Sequence, residues 1–418
     1  MDGWTINLLT IAKMSGLQSK LAPELLEAME LDGTKTRWHV FVAMCCTTKC
    51  ISSMSLTKSE NTAAAVDCMQ MMMRDKGRAA DAVGAMSTWH MYGAPDLLVT
   101  DNGSAFKSKR FIGAAQSVGL DFVRAPAGLP QMRANVERLF RTVSTKLVAR
   151  LSGRTFSNVV EKGDYPSEQR AVLTIQDFAD MLVRWVVDIY HNTPHGGLGG
   201  ETPLECWNRL SATYGVRPGP DRRTQRIAFG LSKNMKTSNV GIQILGVRYN
   251  NDFLMQQFRR HGTQELEVRW HAEDIGEIEV KVGDEWHTIQ SVLPEFLNRP
   301  ARDWIAARQQ IRRGDPQARQ ASNIVIAKAL KEIDRLNTAA GERAGILSER
   351  WDEAMLERFE ANMLIGFKAG HEPDSAPSKT GHGYAINSQE QPRKARQAAP
   401  KASADTARKS SKKNTWKF

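Results

Sequence analysis

The feature that most constrains the fold is a change of periodicity along the first half of the chain. Three β-patterned stretches follow one another within residues 28–57 and read AMELDGTKTR, WHVFVAMC and CISSMSLT. Beyond them helical and strand patterns alternate, with helices over 59–77 and 108–118 and strands DLLVT and LDFVRA. Helices that alternate with strands pack as layers against a sheet. The pattern predicts an α/β core over residues 28–215 with a mixed five-stranded sheet and helices.

A long helix is predicted over residues 131–152, QMRANVERLFRTVSTKLVARLS. Val136, Phe140, Val143 and Leu147 follow one another at helical spacing and form one apolar stripe. We expect this stripe to pack on the sheet. A further helix is predicted over 174–191, which ends at HNTPHGG.

The pattern changes again near residues 216–225, VRPGPDRRTQ. Short alternating strands with Gly turns over 226–290 predict a small all-β barrel. Residues 293–370 carry helical patterns, and 371–418 are rich in Ser, Ala, Lys and Pro, which is typical of a disordered basic tail. Residues 1–27 are expected to be an N-terminal segment outside the core.

Charge and cysteine content exclude some classes of protein. The net charge is +11, but residues 391–418 hold nine Lys/Arg against one Asp, so +8 of it lies in the tail and only +3 on the rest. No apolar run approaches the roughly 18 residues that span a bilayer, and we expect a cytoplasmic protein. The five cysteines show no zinc-type spacing and are expected to be small buried thiols.

The stretch LLVTDNGSAF, residues 97–106, contains the most informative acidic residue. Asp101 follows a predicted strand and precedes Asn102-Gly103, which is ordinary turn chemistry. It can therefore be a turn residue, or a metal-binding carboxylate at the tip of a strand.

Two more acidic residues stand where burial alone does not explain them. Asp32 interrupts the first predicted strand, and Glu137 lies beside the apolar stripe of the long helix. Asp32 alone can be a turn residue, and Glu137 alone can pair with neighbouring arginines along a helix face. Carboxylates brought together repel one another, so a cluster of three requires a cation between its members. Carboxylate oxygens suit Mg²⁺ or Mn²⁺.

The spacing of these acids resembles that of a known family. Thirty-five residues separate Asp101 from Glu137, as in the DDE signature of the retroviral integrase superfamily of transposases and integrases. ELDGTK, TDNGSAF, PQMRANVERLFRT and YHNTPHGGLGGETPLECW resemble four motifs of that family in the correct order. The β-rich segment is similar to the small barrel of phage Mu transposase and its bacterial relatives.

This resemblance implies a ribonuclease H-like core and DNA phosphoryl transfer with two Mg²⁺ ions, or Mn²⁺ as a substitute. Asp32, Asp101 and Glu137 would be the catalytic metal ligands. The enzyme would cleave element DNA to expose a 3′ end and then join that 3′-hydroxyl to target DNA. Arg133, Arg138, Arg141 and Lys146 lie on or near the long helix and could contact DNA phosphates. His195 could reach the edge of the site or pack its own loop.

The resemblance also implies partners. Family members act as multimers on DNA ends, and C-terminal segments of related transposases often contact an ATPase. The helical DNA-binding domains that normally precede the core are missing here, truncated, or supplied by another chain. The expected location is the bacterial cytoplasm, with the protein on the nucleoid when bound to DNA.

Two alternative functions remain open. The chain could be a ribonuclease H-like nuclease without strand transfer, or a catalytically idle transposase-derived protein that binds DNA or assembles complexes.

Overall fold

The computed structural model describes residues 1–11, 34–125, 134–152, 155, 172–314, 320–321, 323–340, 351–363 and 368–369. The strands are β1 Asp2–Ile11, β2 Lys35–Met44, β3 Ile51–Thr57, β4 Leu97–Thr100, β5 Asp121–Arg124, β6 Leu231–Lys236, β7 Ile242–Ile244, β8 Val247–Tyr249, β9 Glu265–His271, β10 Asp274–Val282, β11 Glu285–Gln290, β12 Gln320–Ala321 and β13 Lys368–Ala369. The α-helices are α1 Thr62–Met72, α2 Gly77–Ala82, α3 Ser104–Lys107, α4 Lys109–Ser117, α5 Ala134–Lys146, α6 Ile175–Arg184, α7 Pro203–Tyr214, α8 Arg222–Phe229, α9 Asp252–His261, α10 Ala301–Gly314, α11 Asn323–Ala340 and α12 Glu353–Met363.

The first sheet is antiparallel and has the order β1-β2-β3. Asp2 pairs with Val42 and Trp4 pairs with Val40, so β1 runs along the whole of β2. β4 and β5 form a separate parallel pair. The Met1 nitrogen donates to the Val99 carbonyl oxygen at 2.6 Å, which brings the start of β1 beside the end of β4. The described strands therefore form a three-stranded and a two-stranded sheet rather than one continuous five-stranded sheet.

The position of β1 differs from the sequence interpretation. We expected residues 28–37 to form the first strand and residues 1–27 to lie outside the core. Instead, Asp2–Ile11 is the strand that pairs with β2, and β2 itself begins at Lys35. Residues 1–11 and residues 28–37 both carry short apolar runs. Which of them forms the strand depends on its pairing with β2, and the local pattern does not reveal that pairing.

Helices cover both faces of the antiparallel sheet. On one face Ile6, Val40 and Val42 are buried with the apolar residues of α5 and α6. On the other face Phe41 and Ala43 pack with α1 and α4. The predicted order of strands and helices between residues 38 and 125 is confirmed.

The predicted apolar stripe of the long helix is also confirmed. Val136, Phe140, Val143 and Leu147 are all buried. The α-helix is shorter than predicted and ends at Lys146, after which residues 148–150 form a 3₁₀ turn. The next helix, α6, begins with a Thr174–Asp177 capping box and continues as a π-helical segment from Trp185 to Tyr190.

The second half of the chain is more helical than its strand pattern indicated. β6, β9, β10 and β11 form a four-stranded antiparallel sheet, and β7 and β8 form a hairpin. The Asn250 nitrogen donates to the Gln290 carbonyl oxygen, which joins that hairpin to the end of β11. Helices α8 and α9 lie within residues 222–261, where we expected strands and turns. A closed barrel stays a prediction.

The β-rich segment and the helices after it share one hydrophobic core. Trp270 of β9 contacts Trp351 edge-to-face with ring centroids 5.5 Å apart, and Trp351 stacks on Phe359 of α12. Phe296 packs against Trp304 of α10 in the same cluster. We expected residues 226–290 and 293–370 to be separate regions, but the apolar faces of these helices are buried against the sheet. Trp270 is fully buried in this core.

Helix α8 connects the two halves. Its end, Ala228 and Phe229, is buried with α1 and α4, while Arg226 points into the β-rich half. Arg226 donates to Glu279 Oε1 from Nε at 2.9 Å and from Nη2 at 2.8 Å, and Nη1 lies 2.6 Å from Glu277. Glu279 is fully buried and accepts from Thr288 as well. A buried carboxylate with these partners fixes the position of α8 on the β-rich sheet.

We predict that Glu279→Gln lowers the free energy of unfolding by about 3 kcal/mol, because Arg226 keeps its charge in a buried site and loses the more deeply buried of its two carboxylate partners. Glu357→Gln is the control, since its exposed carboxylate lies 3.6 Å from Lys233. That control is expected to change stability by less than about 0.5 kcal/mol. Urea denaturation of both variants measures the difference, and equal losses would show that the Arg226 contact is not a stabilising one.

Within the described part of the chain, no helix is long and apolar enough to cross a membrane. The predicted basic tail, residues 371–418, lies outside the described residues.

Candidate active site

Asp101 forms the turn that its sequence predicted. Its Oδ1 accepts a hydrogen bond from the Gly103 nitrogen at 2.9 Å. The Asn102 side chain donates to the Ala125 carbonyl oxygen at 2.9 Å, which ties the turn to the end of β5. Leu98 and Thr100 are buried on one side of β4, so strand alternation directs Asp101 to the opposite side. The turn therefore holds the carboxylate at the tip of the strand.

Asp2 lies beside this turn. It is 2% exposed, and its Oδ1 accepts from the Gly3 nitrogen at 2.9 Å. The pKa of the Met1 amino group is lowered by burial, and the negative charges of Asp2 and Asp101 both act against that shift. The hydrogen bond from that nitrogen to Val99 joins the strand of Asp2 to the strand that Asp101 follows.

Glu137 belongs to the helix that packs over β1. Trp4 of β1 stacks on Phe140 of α5, with ring centroids 5.3 Å apart. Along β1, Asp2 precedes Trp4 by two residues and therefore lies on the same face. Along α5, Glu137 precedes Phe140 by three residues, about one helical turn. Asp2 and Glu137 are thus each a few residues from the aromatic contact that joins β1 to α5, and Glu137 is exposed.

Not every predicted site residue is brought together. Asp32 and Arg133 lie outside the described residues. Among the described residues, no three His, Cys, Asp or Glu side chains lie close enough to hold a metal ion. Arg138, Arg141 and Lys146 are exposed on α5. The grouping of Asp32, Asp101 and Glu137 stays a prediction, and Asp2 is a further acid near the end of β4.

The sequence carried a signal for Asp2 that the pattern reading missed. Asp2-Gly3 precedes WTINLLTI, in which Trp4, Ile6 and Leu8 alternate with less apolar residues. Such alternation indicates a half-buried strand. The competing ELDGTK stretch has the same Asp-Gly pair, so local chemistry alone did not separate the two.

Gly3 also makes room for a buried imidazole. A methyl group on Gly3 would meet the His39 ring, which packs edge-on against Phe41. His39 is 8% exposed, and its Nδ1 lies 3.2 Å from Thr5 Oγ1. Burial lowers the pKa of His39, and the charge of Asp101 acts in the opposite direction. The His39 imidazole is therefore neutral, and it lies against Gly3 of β1, the strand that carries Asp2.

Two sequence comparisons identify relatives. Residues 26–153 match the family model described as the TnsB C-terminal domain. The transposase for transposon Tn552 of Staphylococcus aureus is 24% identical over 200 residues, which cover 48% of this chain and 39% of that protein. The two matches support a relationship to the transposase/integrase superfamily. The chain spans about two fifths of the length of this relative. The family match includes Asp32, Asp101 and Glu137 and begins after β1.

Solved structures give weaker similarities. The simian T-cell lymphotropic virus intasome in complex with PP2A regulatory subunit B56 gamma superposes with a TM-score of 0.27 and 17% identity, over 64% of this chain and 73% of that chain. The HTLV-2 integrase catalytic core domain in complex with magnesium gives a TM-score of 0.25 and 14% identity, over 49% and 94%. TM-scores this low carry no argument. The grouping with Mu-like transposases and the ribonuclease H-like fold stay predictions.

Three of the five cysteines are buried. Cys50, Cys68 and Cys206 are buried and unpaired, as predicted, whereas Cys46 is exposed. Burial raises the pKa of Cys50 and of Cys68 to about 12, so neither thiol is a ready nucleophile.

His191 joins the end of the π-helical segment to the start of β3. Its Nε2 accepts from the Ile51 nitrogen at 3.0 Å, at the point where the β2–β3 turn enters β3. His191 is fully buried, and burial lowers its pKa to about 3. The folded protein therefore holds this ring neutral over a range in which an unfolded histidine, with a pKa near 6.5, takes up a proton.

We predict that the free energy of unfolding falls as the pH is lowered from about 6.5 towards about 3, because the unfolded state binds a proton that the folded state excludes. This residue alone contributes at most about 1.4 kcal/mol per pH unit. His191→Gln is expected to flatten the slope, measured by urea denaturation at about pH 7 and about pH 5. An unchanged slope in the variant would contradict the assignment.

Proposed function

We propose that this chain is the catalytic part of a metal-dependent DNA transposase or integrase. It would cleave element DNA to expose a 3′-hydroxyl and join that end to target DNA. Two contacts support the proposal: the Met1 nitrogen donates to Val99, which joins the start of β1, with Asp2, to the end of β4, with Asp101, and Trp4 of β1 stacks on Phe140 of α5, the helix of Glu137. The sequence similarity to transposases supports it.

The donor set fits a hard divalent cation. Asp2 and Asp101 provide carboxylate oxygens, and Mg²⁺ is usually bound by one or two carboxylates together with waters and substrate phosphate oxygens. Two carboxylates at the ends of adjoining strands would repel each other unless a cation lies between them. We propose Mg²⁺ as the cofactor, with Mn²⁺ as a substitute. Each active site would bind two ions. Glu137 would complete the second set of ligands.

Each residue has a distinct part in the proposed mechanism. Bound metal would supply Lewis-acid stabilisation and a lowered pKa for the attacking water or hydroxyl. Asp101, fixed by its own hydrogen bond from Gly103, would hold its oxygens at the strand tip without reorganisation. Asp2 is held by the Gly3 nitrogen and by the pairing of β1 with β2. Glu137, exposed on α5, would approach from the helix side.

Asp2 is proposed in place of Asp32 as the first carboxylate. Asp2 is in a strand that adjoins both β2 and the end of β4, and it lies on the same face as the Trp4–Phe140 contact. Asp32 precedes β2 by three residues and lies outside the described residues. The two acids are a matched pair for experiment, since both stand in an Asp-Gly step.

We predict that Asp2→Asn lowers metal-dependent strand transfer by at least about a hundredfold, because the amide keeps the shape but loses the charge that binds the cation. Asp32→Asn is the control and is expected to retain activity. The assay joins pre-cut element ends to a target plasmid and follows the joined product on a gel. If Asp2→Asn joined DNA normally and Asp32→Asn lost strand transfer, Asp32 would be the first catalytic carboxylate instead of Asp2.

The same assay separates the alternatives. Cleavage of DNA without any joined product by the wild-type chain would support a nuclease instead of a transposase. Binding of DNA with neither product would support an idle assembly protein. A multimer on DNA ends, an ATPase partner and a separate end-recognition chain belong to the same proposal, since the transposase that this chain matches extends well beyond the matched part.

We further predict that removal of divalent metal with EDTA abolishes strand transfer and that added Mg²⁺ or Mn²⁺ restores it. The far-ultraviolet circular dichroism is expected to stay unchanged, since the buried clusters around the sheet consist of apolar side chains. Strand transfer that persists in EDTA would exclude the proposed mechanism.

A further inference from the structure

A glutamate from another part of the chain lies beside the turn that Asp101 forms. Glu60 stands between β3 and α1, and its side chain reaches Gly103 of that turn. A methyl group on Gly103 would lie 2.7 Å from Glu60 Oε1 and 3.0 Å from Asp101 Oδ1. Both oxygens therefore flank one point, and the distance between them cannot exceed the sum of these two distances. Glu60 and Asp101 are close neighbours in the folded chain.

Gly103 leaves the space in which the two carboxylates approach each other. Its φ is −57° and its ψ is 153°, an extended conformation that other residues adopt without strain. Its nitrogen donates to Asp101 Oδ1, and any residue except proline could make that bond. The backbone of this turn therefore does not require glycine. The absence of a side chain is what allows Glu60 to come this close.

The backbone around Glu60 is held by the side chain of Asn61. The Asn61 amide oxygen accepts from the Ala64 nitrogen at 2.8 Å and caps the start of α1. Its amide nitrogen donates to Thr57 Oγ1 at 2.8 Å and to the Ser59 carbonyl oxygen at 3.0 Å. These bonds join the end of β3 to the first turn of α1. The Glu60 backbone is thus fixed, whereas its exposed side chain can rotate.

Apolar packing holds the Glu60 segment against the Asp101 turn. Ala64 and Ala65 of α1 are buried in the same cluster as Ala105 and Phe106 of α3. Helix α3 begins at Ser104, directly after Gly103. The helix that follows Glu60 and the helix that follows Asp101 therefore pack on each other. This contact places the two carboxylates side by side whether or not a ligand is bound.

The charge of Glu60 has no cationic partner in the part of the chain that the structure describes. Its position before the capped end of α1 favours a negative charge but leaves the repulsion between the two carboxylates. A cation that binds both acids removes that repulsion. Mg²⁺ is usually bound by one or two carboxylates together with waters and substrate phosphates, and Glu60 with Asp101 provides such a pair.

We propose that Glu60 is a further carboxylate of the divalent-cation site at Asp101, in the space that the missing side chain of Gly103 leaves open. The identity of the cation, Mg²⁺ or Mn²⁺, rests on the proposed function. Glu60 adds a negative charge and acceptor oxygens from the side of α1, whereas Asp2 belongs to β1. Its exposed side chain can turn towards a cation while the backbone stays in place.

The first test measures Mn²⁺ binding to the full chain without DNA, with free Mn²⁺ quantified by electron paramagnetic resonance. Glu60→Gln is expected to weaken the Kd for Mn²⁺ by about tenfold, because the amide keeps the size of the side chain and loses its charge. Asp101→Asn is expected to abolish this binding. Glu285→Gln is the matched control, since its side chain is 84% exposed, and it is expected to bind Mn²⁺ as the wild type does.

Gly103→Ala tests the same site without a change of charge. The added methyl group would lie 2.7 Å from Glu60 Oε1, so the glutamate side chain must move away. We expect this variant to weaken Mn²⁺ binding severalfold in the wild-type background and by less than about twofold in the Glu60→Gln background, where little is left to displace. An equal loss in both backgrounds would show that the methyl group acts on Asp101 instead, and would contradict the role of Glu60.

The remaining outcomes separate this proposal from the proposed function. If Glu60→Gln binds Mn²⁺ as the wild type does and only its urea midpoint falls, Glu60 serves the start of α1 and the proposal is rejected. Strand transfer is scored separately, so that result leaves the function standing as long as Asp101→Asn loses strand transfer. Weaker Mn²⁺ binding by Glu60→Gln, together with no strand transfer by the wild type, would reject the function and keep the cation site. A wild-type chain that binds no Mn²⁺ would overturn both.

Discussion

The pairing of β1 with β2, locked by Trp4 on Phe140, is the contact on which the candidate site depends. It places Asp2 beside the end of β4 and lays α5 across the same face of the sheet. Because the contact joins residues far apart in sequence, the site exists only after the whole core has formed.

Short-range sequence patterns predicted the features that depend on residues close together in the chain. The helical spacing from Val136 to Leu147 predicted both the helix and its buried face. Such a stripe arises within one helix, because one side of that helix packs on the core. Asp101-Asn102-Gly103 predicted a turn, and its side chain does bond the Gly103 nitrogen. The turn role of Asp101 is therefore confirmed, and its role as a metal ligand stays a prediction.

The partner of β2 could not be predicted in this way. Two stretches, after Asp2-Gly3 and around Asp32-Gly33, offered the same acid, the same glycine and a short apolar run. The energy that selects Asp2–Ile11 comes from burying Ile6 and Leu8 against α5 and α6, which are more than 120 residues away. The packing of α10 and α12 on the β-rich sheet was missed for the same reason, because Trp270 meets Trp351 only in three dimensions.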